Sequence, residues 1–231
     1  PALLNGREYE AEHGLLGVPA CRLEGFAPSF EQAEELAALT DTPLSKGKGG
    51  KVRIAGLYAM GSLGTLAQSV KSDLDCWVCL DDGAVDALAH DGLRGKLAHL
   101  ETWARDEFGL EVHFFLMNLD DIRANRFGAS DEESSGSAQA LLLKDEFYRT
   151  CLRLGGGIPA WCLMPPNVSA EEYERLLPET LEHPLCEPRR VIDLGPLLEI
   201  PPEEFFGACL WQIVKAIKSP FKSIMKLGLL E

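Results

Sequence analysis

The sequence predicts an α+β protein: a mixed β-sheet with flanking helices, followed by a mostly helical second part. Three observations carry that expectation. Three β-rich apolar runs lie in the first half, VRIAGLYAM (52–60), DLDCWVCL (73–80) and LEVHFFLM (110–117). Between the second and third runs, apolar residues recur at Val85, Leu88, Leu93, Leu97, Leu100, Ala104 and Phe108, the spacing of a crossover helix. Beyond residue 136 the patterns are mostly helical, punctuated by glycine and proline clusters.

Taken in order, Ser29 and Gln32 have the spacing of a capping box and predict a helix over 30–39. SKGKGGK (45–51) lacks the G-x-x-x-x-G-K-[ST] spacing of a phosphate loop and reads as a solvated linker. The first strand ends in Gly61-Ser62, a tight turn, and GTLAQSV (64–70) is a short helical turn. Asp91-Gly92 is a candidate break in the crossover helix. RANRFGASDEESSGS (123–137) is polar and rich in glycine and serine, a loop and the expected domain boundary. AQALLLKDEFYRTCLRL (138–154) is expected to be a helix stopped by Gly155-Gly156-Gly157, and IPAWCLM (158–164) a short strand. Ser169 and Glu172 cap another short helix, and the proline-rich stretch 178–202 is a stiff connector. EEFFGACLWQIVKAIK (203–218) is a helix, and Ser219-Pro220 fits an N-cap followed by an N1 proline that opens the last one. The expected domains are 1–135 and 136–231.

Composition removes several function classes. The 22 basic and 36 acidic residues give a net charge of −14. Such a chain repels the phosphate backbone, so nucleic acid is not an expected partner, and it offers little to an anionic membrane surface. No apolar run approaches the roughly 20 residues that span a bilayer, and the N-terminal stretch has no signal-peptide pattern. Seven scattered cysteines argue against a disulfide framework and for a reducing, cytoplasmic setting. A bound polyphosphate would have to arrive with metal ions or meet a local basic cluster. One such cluster exists: between Gly207 and Leu230 the only charged residues are Lys215, Lys218, Lys222 and Lys226.

Asp73 and Asp75 are the residues that need explaining. Two residues apart in a strand, they present two carboxylates on one face. Anions that close repel, and one would take up a proton unless a cation intervenes. Mg²⁺ prefers hard oxygen ligands and keeps substrate phosphates in its shell. Glu111, an acid flanked by apolar residues at the start of the next strand, could join the pair, and three carboxylates around two metals about 4 Å apart suit in-line attack on phosphorus. Gly61 lets the backbone approach a ligand closely, and the Ser62 hydroxyl and the following turn supply donors to an anion. Lys71 and Ser72, just before the acid strand, are near enough to help hold the phosphates. The competing reading of the D-x-D pair alone is an exposed edge with solvated acids.

The ordered blocks LYAMGSLGTLAQSVKSDLDCWVC, LEVHFFLM, LLLKDEFYRT and EEFFGACLWQIVKAIKSPFKSIMKLGLLE resemble the class I adenylate cyclases, bacterial enzymes of cyclic AMP signalling within the nucleotidyltransferase superfamily. The likeness runs from about Pro19 onward and is weakest over 118–136 and 165–200. It implies a nucleotidyltransferase-type sheet and conversion of ATP to 3′,5′-cyclic AMP and pyrophosphate with two Mg²⁺ or Mn²⁺ ions. It implies that Asp73, Asp75 and Glu111 hold the metals, and that Gly61 and Ser62 contact the phosphates. Family members are long, with a catalytic half followed by a regulatory half. This chain stops within the catalytic half, so regulatory protein partners would act through a C-terminal half outside it.

Spaced three, four and four apart, the lysines would form one stripe on a continuous helix, imperfect where Pro220 restarts it. Lys215 and Lys222 are expected at the β- and γ-phosphates; a solvated helix face is the plainer reading of any single lysine. Cys76 and Cys79 face opposite sides of a strand and read as core, as do Trp77 and Trp161. His113 reads as a structural histidine, and Asp145 with Arg149 as an ordinary i, i+4 pair. Two other functions share the same motif: transfer of AMP to a separate hydroxyl acceptor, and non-catalytic nucleotide sensing. Product analysis separates the first, and metal-dependent ATP binding without turnover would mark the second.

Overall fold

The computed structural model describes residues 1–4, 13–15, 18, 21–40, 52–63, 65, 68–70, 72–81, 87–127, 140–187 and 190–229. A 3-10 turn (Ala2–Leu4) is followed by β1 (Cys21–Leu23), α1 (Phe30–Thr40), β2 (Val52–Met60), β3 (Leu74–Leu80), α2 (Ala87–Phe108), β4 (Val112–Asn118) and α3 (Leu119–Arg123). Then come α4 (Ala140–Thr150), β5 (Leu152–Gly156), β6 (Ile158–Pro159), a 3-10 turn (Ala160–Leu163), α5 (Ala170–Glu182), β7 (Val191–Ile192), α6 (Pro202–Ala216) and α7 (Pro220–Leu229).

The sheet is mixed. β2 lies antiparallel to β3, and β3 lies parallel to β4, as a strand–helix–strand crossover through α2 requires. On the other side of β2, β1 pairs in parallel with residues 52–54 and β5 antiparallel with residues 56–59, so two short strands share that flank. β6 and β7 form a separate parallel pair.

Alternation along the strands divides the core between the two faces. Cys76, Val78 and Leu80 of β3 join Leu57 and Ala59 of β2 against the α2 stripe Leu93, Leu97, Leu100 and Ala104. Trp77 and Cys79 point the other way, with Tyr58, Met60, Ile122, Phe127 and Phe147. Phe147 of α4 stacks on Trp77 with ring centroids 4.3 Å apart and planes 9° apart, and meets Tyr58 edge-on at 5.2 Å. The apolar stripe carries α2 through Asp91-Gly92 without a break, because burial of Leu93, Leu97, Leu100 and Ala104 outweighs the roughly 1 kcal/mol that each of the interior glycines Gly92 and Gly95 costs. Cys76 and Cys79 sit on opposite faces, so they cannot jointly chelate an ion.

Three local expectations are corrected. α4 ends at Thr150, and LRLGG continues as β5, because pairing with β2 overrides the helical pattern. Gly156 permits that pairing: it has φ +84°, and a Cβ there would lie 2.4 Å from Ala55 O and Gly56 Cα. Within 158–164 only Ile158–Pro159 is strand; Ala160–Leu163 is a 3-10 turn. Residues 178–182 of the expected connector belong to α5, whose Ser169–Glu172 capping box is formed and which carries Pro178 internally. The expected helical turn over 64–70 lies partly outside the described residues; among those described, Thr65 N bonds to Ser62 O, Gln68 N to Thr65 O and Ser72 N to Ser69 O. The expected domain boundary near 135 lies outside the described residues, and chain on both sides of it builds the main sheet. Among the described residues no helix is long and apolar enough to cross a membrane.

Candidate active site

The strand pairing sets the candidate residues beside one another. Met60, the last residue of β2, pairs with Asp75, so the Gly61-Ser62 turn emerges directly against that aspartate. Gly61 takes φ +91°, a left-handed conformation that L side chains rarely adopt, and a Cβ there would come within 3.7 Å of Asp75 Oδ2. Ser62 is only 6 % exposed, and its Oγ is the buried side-chain atom that finds no hydrogen-bond partner among the described residues. An unpartnered buried hydroxyl costs about 1–3 kcal/mol, which an incoming acceptor would relieve.

Asp73 and Asp75 flank Leu74, whose side chain belongs to the opposite, α2 face. The pair therefore stands on the face shared with Trp77 and Phe147, at the end of the core rather than inside it. Burial raises the Asp75 carboxyl above the ordinary carboxylate range; neighbouring Asp73 adds to the rise, His113 and Lys226 oppose it, and Glu146 reinforces it. Two hard oxygen donors held together at such a cost suit a divalent cation, and Mg²⁺ takes one or two protein carboxylates together with phosphate oxygens.

Glu111 lies just before β4. Leu74 N donates to Glu111 O at 2.9 Å, and Leu74 pairs with Val112, so Glu111 sits level with Asp73 at the start of the two strands. Its carboxylate is 69 % exposed and stands 3.3 Å from His113 Nε2, while His113 is the cross-strand neighbour of Asp75. Among the described residues no group of three or more His, Cys, Asp and Glu side chains is arranged to hold a metal ion. Asp73 and Asp75 share one face beside the Gly61-Ser62 turn, and Glu111 stands level with Asp73 at the strand starts.

The lysines divide between the helices. Lys222 of α7 places Nζ 3.6 Å from Asp73 Oδ1, and Lys226, one turn later, places Nζ 2.9 Å from Glu146 Oε1. Lys215 of α6 instead lies over the Trp211 ring, 5.1 Å from its centroid. The Ser72 hydroxyl accepts a bond from Ser69 N at 2.9 Å, within its own turn, and Lys71 lies outside the described residues. Asp145 and Arg149 form the expected helix pair. Sequence reasoning missed Glu146. Its neighbour Phe147 is buried on the sheet, and a carboxylate beside such an anchor was the one available signal.

Comparison with known proteins follows the same lines. Residues 1–162 match the family model described as adenylate cyclase NT domain, and residues 200–231 match that of the class-I adenylate cyclase second domain. An adenylate cyclase of Yersinia pestis is 38 % identical over 209 residues, which is 89 % of this chain and 24 % of that protein. Adenylate cyclases of Salmonella typhimurium and Escherichia coli K12 are each 40 % identical over 182 residues, 79 % of this chain and 21 % of theirs. The chain thus spans about a quarter of the length of the curated relatives it matches. No solved structure matches it. A family model covering well over half of the chain, with relatives at this identity, shows that the chain belongs to the class I adenylate cyclase family.

Proposed function

We propose that this chain carries the catalytic site of an adenylate cyclase that converts ATP to 3′,5′-cyclic AMP and pyrophosphate. The observation that carries the proposal is the Asp73–Asp75 pair set against a buried, unpartnered Ser62 hydroxyl on a glycine turn. Asp73 and Asp75, with Glu111 beside them, would hold two Mg²⁺ or Mn²⁺ ions. Bound there, the ions would lower the pKa of the ribose 3′-hydroxyl and neutralise charge on the triphosphate.

The chain's own groups do the rest by position and charge. The Gly61-Ser62 turn brings backbone N–H groups and the Ser62 hydroxyl to the phosphates. Lys222, beside Asp73, would offset charge that gathers on the leaving pyrophosphate, while Lys226 holds Glu146. In the reaction the 3′-oxygen, giving up its proton to water, bonds to the α-phosphorus as the bond from that phosphorus to the α–β bridging oxygen breaks and pyrophosphate leaves. The nucleophile and the leaving group belong to one molecule, so holding it in a near-attack geometry supplies much of the acceleration.

The test is incubation of the protein with Mn²⁺ and ATP, with cyclic AMP resolved by chromatography, and a parallel incubation with GTP to read base selectivity. Asp73→Asn and Asp75→Asn should each lower cyclic AMP formation by at least about a hundredfold. Activity within about threefold of the parent in either variant would remove the assignment. Labelled AMP on an added hydroxyl acceptor, with no cyclic product, would make the protein a transferase.

A further inference from the structure

We propose that Lys222 is a built-in counter-ion of the aspartate pair. It occupies a cation's place beside Asp73 while the site is free of metal, and it passes to the nucleotide's phosphates when a divalent ion arrives. The inference rests on the reading of Asp73 and Asp75 as the metal and triphosphate site.

The two lysines of α7 are differently committed. Lys226 is within hydrogen-bond distance of Glu146, at 2.9 Å, and so ties α7 to α4. Lys222 lies 3.6 Å from Asp73 Oδ1, an ion pair without a hydrogen bond, and both side chains remain more than a third exposed. A pair of that kind is weakly held and readily exchanged. An ammonium is a compact, hydrated charge on a flexible stem, able to leave one anion for another nearby without moving its helix. Lys222 and a divalent ion would compete for the same carboxylate edge. The triphosphate that accompanies the ion offers the displaced ammonium a richer set of anionic oxygens. Glu146 takes Lys226, which leaves Lys222 as the ammonium at Asp73.

Competition for one carboxylate makes two affinities move in opposite directions, which a purely structural role for Lys222 does not. The experiment follows Mn²⁺ binding to the nucleotide-free protein by the electron paramagnetic resonance signal of free Mn²⁺. It then follows binding of 3′-deoxy-ATP, which cannot cyclise, at saturating Mn²⁺. Lys222→Met should tighten Mn²⁺ binding about threefold and weaken 3′-deoxy-ATP binding by at least as much. Lys222→Arg, which keeps the charge, should restore Mn²⁺ affinity to the parent value. Unchanged or weaker Mn²⁺ binding by Lys222→Met overturns the exchange. Mn²⁺ binding that Asp75→Asn leaves intact overturns the underlying metal-site reading instead, and is recognised because the variants then behave alike.

Discussion

Truncating Phe147 to alanine tests how the site is held. The side chain is fully buried, stacked face-to-face on Trp77, edge-on to Tyr58 at 5.2 Å, and 5.5 Å from Tyr148. Truncation of a buried phenylalanine costs about 3–5 kcal/mol, and each aromatic contact adds about 0.5–1.5 kcal/mol beyond area burial. Two of these contacts cross from α4 to the sheet, which puts Phe147→Ala in the upper part of the range, about 4–5 kcal/mol. Against a total stability of about 5–15 kcal/mol, that is a large fraction. Phe147→Leu keeps most of the volume and should cost about 1.5 kcal/mol. Phe206, 64 % exposed on α6, is the control, and Phe206→Ala should stay within about 0.5 kcal/mol of the parent. Equilibrium urea unfolding followed by far-ultraviolet circular dichroism reads all three. A loss below about 1.5 kcal/mol in Phe147→Ala, or one no larger than that of Phe206→Ala, would refute the idea that this ring fastens α4 to the sheet.

Two further outcomes follow from buried polar groups. Ser62→Ala removes a hydroxyl with no partner among the described residues, so the nucleotide-free protein should keep or gain up to about 1 kcal/mol of stability while binding ATP more weakly; a loss above about 1 kcal/mol would show the hydroxyl already satisfied. Burial holds the Lys144 ammonium down from 10.5 to about 8, with Asp193 opposing and Arg123 reinforcing the fall. Below pH 8 both folded and unfolded chains carry that proton; between about 8 and 10.5 only the unfolded chain does, so this group makes stability rise with pH across that window. Urea midpoints of the parent should therefore gain on those of Lys144→Met between pH 7.5 and 9.5, and a flat difference would contradict the burial argument.

The parts of the fold that were legible in sequence are those with local patterns. The β2 and β3 runs, the α2 stripe, the Ser169–Glu172 capping box and the proline start of α7 all declare themselves within a few residues. β1 and β5 do not. Each is short, and each exists because β2 offers an open flank, a fact set by residues about 30 to 100 positions away. The same division holds at the site. The i, i+2 aspartates and the glycine-serine turn are local and visible, and the register that joins Met60 to Asp75 merely brings them together. The lysine stripe was legible only as spacing. Its division into a cation over Trp211, a partner for Asp73 and a partner for Glu146 depends on where Pro220 restarts the helix and on how α7 lies against α4. Glu111 lies one residue ahead of β4, where backbone pairing fixes its carbonyl and leaves its carboxylate exposed beside His113.

The proposed cyclase site depends on Asp73 and Asp75 jointly caging a divalent ion against a triphosphate. The most direct measurement is anomalous scattering from a crystal of the protein grown with Mn²⁺ and 3′-deoxy-ATP. A manganese peak bonded to carboxylate oxygens of both aspartates and to phosphate oxygens is expected, with Ser62 Oγ in contact with the phosphates. Nucleotide bound with no manganese at either aspartate would contradict it.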